Sequence, residues 1–212
     1  RVDRDDYLPG LKRLVDAVHA DGAKIALQLH HAGRQAHAAV TGMQPVAPSP
    51  IPSLGGERPR ELTIAEIESL VRAFSQAAAR AKQAGFDAVE IHCAHIYLLS
   101  QFLSPLTNKR SDRYGGDIQG RLRFPVEVVS AVRKAVGQAY PIFCRISADE
   151  GLPGGTTLED AKIIARSLQD AGADAIHVSA GSMPSTRDEY LQQYLYVVPI
   201  MASPPGCFVH LA

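Results

Sequence analysis

The sequence predicts an α/β chain that forms part of a parallel TIM (β/α)8 barrel. Four short apolar runs alternate with helical stripes, and each run ends in polar residues, as right-handed βαβ units on a parallel sheet require. No Gly-x-Gly-x-x-Gly follows any of these runs, which favours a barrel over a doubly wound dinucleotide-binding sheet.

Each element has its own signal. Asp5 and Asp6 precede Leu8, Leu11, Leu14, Val15 and Val18, an apolar stripe at helical spacing that stops at Gly22. Residues 1–22 therefore read as a helix and not as a signal peptide. Lys24 to His31 is short, apolar and bounded by Gly22 and Gly33, as a buried strand is. Residues 38–62 carry Pro45, Pro48, Pro50, Pro52 and Pro59 with Gly55 and Gly56, which excludes helix and central strand and predicts a long loop at a rim. Thr63 with Glu66 forms a capping box for a helix through Ile64, Ile67, Leu70, Val71, Phe74, Ala77, Ala78 and Ala81, stopped by Gly85. Ala88 to His92 alternates as the next strand. Asn108 to Gly116 is rich in charges and turn formers, which read chiefly as braces for the loop that carries Tyr97. Helix resumes from Leu122 to Val136, with Pro125 in its early turns and Gly137 as its stop. Pro141 to Ser147 is a strand, Asp160 to Ala171 a helix stopped at Gly172, and Asp174 to Gly181 the fourth strand. Residues 182–205 read as loop, and Phe208 to Ala212 as the start of a helix.

Composition narrows the function classes. Lys plus Arg equal Asp plus Glu at 22 each, so no net charge recruits nucleic acid or an anionic membrane. No stretch is long and apolar enough to read as a membrane span. The 46% apolar and 21% charged content is that of a globular core. Cys93, Cys144 and Cys207 are widely separated and form no Cys-x-x-Cys, which points to free thiols in a reducing compartment, the cytoplasm. The chain begins at Arg1, so an excerpt of a longer protein is expected.

Chemistry concentrates in Phe86 to Leu99, where an apolar strand runs into His92, His95 and Tyr97. Two imidazoles that donate N–H to one carbonyl oxygen, with a phenol at the neighbouring carbon, suit reduction of a double bond conjugated to that carbonyl. Half of a zinc site, or histidines that are simply satisfied in the core, are the competing readings. Gln28 interrupts an apolar run, so its amide needs partners: a flavin pyrimidine edge, or equally a backbone group. Arg145 interrupts another, and a guanidinium there needs an anion such as a reduced flavin, or an internal carboxylate from Asp149 or Glu150. His177 reads as structural.

Three motifs, Gln28-Leu29-His30-His31-Ala32-Gly33-Arg34, Glu90 through Pro105, and Asn108 through Gly116, closely resemble the Old Yellow Enzyme family. Its members are FMN-dependent NADH:flavin oxidoreductases, among them enoate reductases and 2,4-dienoyl-CoA reductases. The resemblance implies that Gln28 bonds the flavin pyrimidine, that Arg145 lies near flavin N1 and O2, that His92 and His95 bind the substrate carbonyl, and that Tyr97 is the proton donor. It implies FMN as cofactor, NADH or NADPH as reductant and a small-molecule alkene as substrate. Hydride then passes through the flavin to the β-carbon of an enone, enoate or enoyl thioester, and Tyr97 protonates the α-carbon. Neither nucleic acid nor a membrane is an expected partner, while a homo-oligomer is allowed.

The resemblance also implies a single FMN-binding domain over 1–212, incomplete at both ends, with the first two and last two barrel strands absent. Loops after the last strands hold the FMN phosphate in this family, and an iron–sulfur cluster belongs only to longer members. Position 96 is usually glycine there; if it requires a positive φ, Ile96 is strained and Tyr97 is displaced. The alternative function is a truncated, non-catalytic barrel segment acting as a structural or interaction module, and a metal-dependent barrel hydrolase ranks third.

Overall fold

A computed structural model describes residues 1–181, so the expected loop at 182–205 and helix at 208–212 lie outside the described residues. In chain order the elements are α1 (Leu8–Ala20), β1 (Ala26–Leu29), α2 (Ala38–Thr41), β2 (Val46–Ala47), β3 (Arg60–Glu61), α3 (Ile64–Ala84), β4 (Ala88–Cys93), α4 (Leu98–Leu103), α5 (Ile118–Val136), β5 (Ile142–Ser147), α6 (Leu158–Asp170) and β6 (Ala175–Ser179). Strands β1, β4, β5 and β6 form one parallel sheet in that spatial order. Successive strands are joined through α3, α5 and α6, which is the repeating unit of a (β/α)8 barrel.

Strand parity sorts the side chains into two layers. Leu29, Val89, Ile91, Cys93, Ile142, Cys144 and Ile146 join the buried core, with Ile176 and Val178 packed against it. The other face carries Gln28, Glu90, His92, Arg145, Ser147, His177 and Ser179. Registers align these polar residues in levels: Gln28 with Glu90, then His92 with Arg145 and His177, then Ser147 with Ser179. Helices α3 and α5 cover the apolar layer through Ile67, Phe74, Ala78, Ala81, Val128, Val129 and Val132, all buried. Among the described residues no helix is long and apolar enough to cross a membrane.

Where sequence and structure differ, the cause is local. Residues 38–62 are not loop throughout: α2 fits between His37 and a left-handed Gly42, ahead of the first proline, and β2 pairs with β3 in a two-residue parallel ribbon. Helix α5 starts at Ile118, capped by the Asp117 side chain on Gly120 N–H, so Pro125 stands in its interior and not in its early turns. Helix α4 was not anticipated at all; its six residues are all buried, so it shows no amphipathic period. The two capping boxes, Thr63 with Glu66 and Thr157 with Asp160, open α3 and α6.

Phe124 of α5 is fully buried and meets the Phe102 ring of α4 at 4.7 Å between centroids. Truncation removes the anchor that seats α4 on α5. Phe124→Ala should therefore cost about 3–5 kcal/mol, read as a lower urea midpoint at constant slope.

Candidate active site

The carboxyl ends of β1 and β4 bring four rings together. His92 lies 5.0 Å from Tyr97 and 5.3 Å from His95, centroid to centroid. His30, which the sequence reading passed over, meets Tyr97 edge-on at 4.1 Å and His92 at 5.7 Å. Of the five residues singled out, His92, His95 and Tyr97 thus cluster, while Gln28 and Arg145 flank them on the strands either side of β4.

Hydrogen bonding settles what His92 presents. Ala94 N–H donates to its Nδ1 at 3.2 Å. Burial, helped by His95, His30 and Arg145 against the opposing Glu90, pushes the imidazole down to about 4, so near neutral pH it is uncharged. With Nδ1 an acceptor, the single proton sits on Nε2, the nitrogen left to donate to a ligand.

His95 is tied differently. Its backbone N–H donates to Ser147 Oγ at 3.0 Å, and its ring Nε2 lies 2.7 Å from Ser179 Oγ. Nδ1 is therefore the ring nitrogen open to a ligand, and it carries a proton when Ser179 donates to Nε2. The two rings thus leave different nitrogens open, Nε2 on His92 and Nδ1 on His95, the latter on a ring held by Ser179. Burial, Arg145 and His177 lower the His95 titration.

The turn between β4 and α4 holds two non-glycine residues in the left-handed region, His95 at φ 55° and Ile96 at φ 51°. The positive φ expected at position 96 is present, yet Tyr97 keeps its place against His30 and His92. A buried amide accounts for this. Gln101 Nε2 donates to Ile96 O at 2.6 Å, and Gln101 Oε1 accepts from Arg34 N–H at 3.2 Å. Leu98 N–H donates to His31 O at 2.9 Å, which stitches α4 to the end of β1. Gly33, at φ +59°, makes room: a Cβ there would meet Gln101 Nε2 and Oε1 at 2.5 Å. The charged loop braces this arrangement, since Arg110 Nη1 donates to Pro48 O and Leu62 O, and Asn108 Nδ2 to Phe102 O and Tyr114 O.

Gln28 departs from the expected burial, and Arg145 lacks the internal carboxylate that was one of its two expected partners. Gln28 is exposed on this face, not buried, because β1 is an edge strand of the described sheet; its Nε2 donates to Glu90 Oε1 at 2.5 Å. Arg145 Nε is buried and has no partner among the described residues, and neither Asp149 nor Glu150 pairs with it. Asp149 accepts from Gly151 N–H, and Glu150 from Ser104 and Thr156. A planar ligand with both donors and acceptors on its edge would satisfy both residues. His177, read as structural, has its Nδ1 2.8 Å from Glu90 Oε2. No three His, Cys, Asp or Glu side chains converge as metal ligands among the described residues.

Comparison with known proteins gives the same direction. The model of the NADH:flavin oxidoreductase / NADH oxidase family matches residues 1–189. An NADH oxidase of Thermoanaerobacter brockii is 54% identical over 190 residues, 87% of this chain and 29% of that protein. A metal reductase of Desulforamulus reducens is 50% identical, covering 100% of this chain and 30% of its own length. The solved structure of morphinone reductase superposes with a TM-score of 0.77 at 36% identity, over 92% of this chain and 59% of that one. The chain thus spans under a third of these two curated relatives.

Two histidines, His92 buried and His31 half-buried, make the fold acid-sensitive. His31, whose Nδ1 accepts from Gly33 N–H, is pushed down to about 4 by burial and by His30, as His92 is by its own surroundings. An unfolded histidine titrates near 6.5, so between the two values the unfolded chain binds protons that the folded chain refuses. Stability should be full above about 6.5 and fall as pH drops towards about 4. Urea midpoints across that window check this, and His31→Asn, whose amide oxygen replaces the Nδ1 acceptor, should flatten the slope.

Proposed function

Since the chain belongs to the NADH:flavin oxidoreductase / NADH oxidase family, we propose that it forms the middle of the barrel of an FMN-dependent oxidoreductase. This enzyme takes hydride from NADH or NADPH and delivers it to the activated C=C bond of an enone, enoate or enoyl thioester. Activity, substrate and partners of the whole protein belong to this proposal. The convergence of His92, His95 and Tyr97 at the carboxyl end of β4 is the observation that carries it.

The residues on this face suit the cofactor. Gln28 would meet the flavin pyrimidine edge, and the unpartnered Nε of Arg145 would meet an acceptor of the same ring. FMN, when bound, supplies the carrier that accepts a hydride from one substrate and gives it to the other. All remaining work falls to side chains. His92 donates Nε2–H to the substrate carbonyl oxygen, and His95 adds a second donor through Nδ1. Two donors on one oxygen draw electron density out of the C=C bond and stabilise the negative charge that develops on that oxygen. Tyr97, its ring held edge-on by His30 and His92, gives its hydroxyl proton to the α-carbon. The buried free thiols Cys93 and Cys144 agree with a cytoplasmic setting.

Two measurements on the full-length protein check this. FMN added to it should survive desalting as a visible flavin band, and a colourless product would end the FMN reading. In the holoenzyme, Tyr97→Phe should slow flavin re-oxidation by an enone about 10²–10⁴-fold while flavin reduction by NAD(P)H is spared. Equal loss in both half-reactions would remove Tyr97 from the proton-donor role.

A further inference from the structure

Glu90 is a charged residue in the middle of β4, at the register level of Gln28, with a side chain only 15% exposed. Its two oxygens are engaged from opposite sides. Gln28 Nε2 donates to Oε1 from β1, and His177 Nδ1 meets Oε2 from β6. An ionised carboxylate has no proton to give, so only the nitrogen end of the Gln28 amide can face it. Glu90 therefore sets the direction of that amide.

We propose that Glu90 is a positioning residue for cofactor binding: by anchoring Gln28 Nε2, it fixes which way the amide edge meets the flavin pyrimidine, while His177 holds the carboxylate in place. The inference rests on the FMN reading above. A flavin pyrimidine edge runs acceptor, donor, acceptor through C2=O, N3–H and C4=O. An amide can pair with that edge in two directions, and a carboxylate bound to its nitrogen end selects one. The same charge shares a face with Arg145, His92 and His177, beside the ring that is to receive electrons, and it opposes the Arg145 guanidinium there.

The test measures FMN affinity and flavin midpoint potential in the holoenzyme for wild type, Glu90→Gln, Gln28→Met and the double variant. Glu90→Gln keeps the shape but offers either end of its own amide, so the selection is lost. The FMN dissociation constant should rise about tenfold, and the potential should move positive because a negative charge is gone. In the Gln28→Met background the affinity effect should vanish while the potential shift stays. An affinity change of equal size in both backgrounds, or none in either, overturns the proposal. Should Glu90→Gln not fold, FMN labelled with a nitrogen isotope at N3 tests the wild type directly. An N3–H signal shifted downfield and slow to exchange is expected; one that exchanges as in free FMN overturns the role of Glu90. A wild-type protein that retains no FMN fails at the underlying reading, which separates the two failures.

Discussion

Parallel pairing on both edges of β4 is the constraint from which the site follows. Side chains alternate along a paired strand, so Val89, Ile91 and Cys93 go to the helix layer and Glu90 and His92 to the other face. The first set anchors the strand in the core. Each large side chain buried there contributes about 1.5–3 kcal/mol, enough to hold the polar set in place without that set stabilising anything itself. Position and chemistry are thereby divided between odd and even residues of one short strand. His92 reaches the ring cluster because Ile91 and Cys93 cannot leave the apolar layer.

Beyond Cys93 the backbone adopts a conformation that ordinary residues avoid. Two consecutive left-handed residues, one of them β-branched, cost on the order of 1–3 kcal/mol each. Contacts from elements far apart in the chain offset this. Ser147 of β5 receives the His95 N–H, Gln101 of α4 binds the Ile96 carbonyl, and α4 itself is buried along its whole length. The turn thus sets both the His95 and the Tyr97 ring against His92. Tyr97 closes the turn and begins α4 at once, so its ring position is coupled to the packing of Phe102 on Phe124.

Much of this is legible in the sequence alone. Helix α3 and the strands announced themselves because half of each faces the core, and Thr63 with Glu66 marked a helix start by local chemistry alone. Helix α4 did not, since a segment buried on every side has no polar face to give it a period. The first turn of α5 was hidden because Asp117 and Gly120 look like turn residues when their capping bond cannot be seen. In the site, His92, His95 and Tyr97 were legible through proximity in the chain. Ser179, 84 positions from His95, was not, because only the sheet brings them together. Gln28 and Arg145 stood out as polar breaks in apolar runs. Glu90 carries the same signal in β4, and its partners on β1 and β6 become visible only through the sheet.

The two-layer arrangement also governs which changes of length this region tolerates. One residue gained or lost between Ala88 and His92 would exchange the layers beyond it. The imidazole would be driven among the aliphatic side chains of α3 and α5, and a thiol would stand on the polar face instead. At Leu54 and Gly55, which are exposed, the same insertion would only lengthen a rim. Strand β4 therefore tolerates exchange of side chains but not of length, while the exposed turn at Leu54 and Gly55 tolerates both.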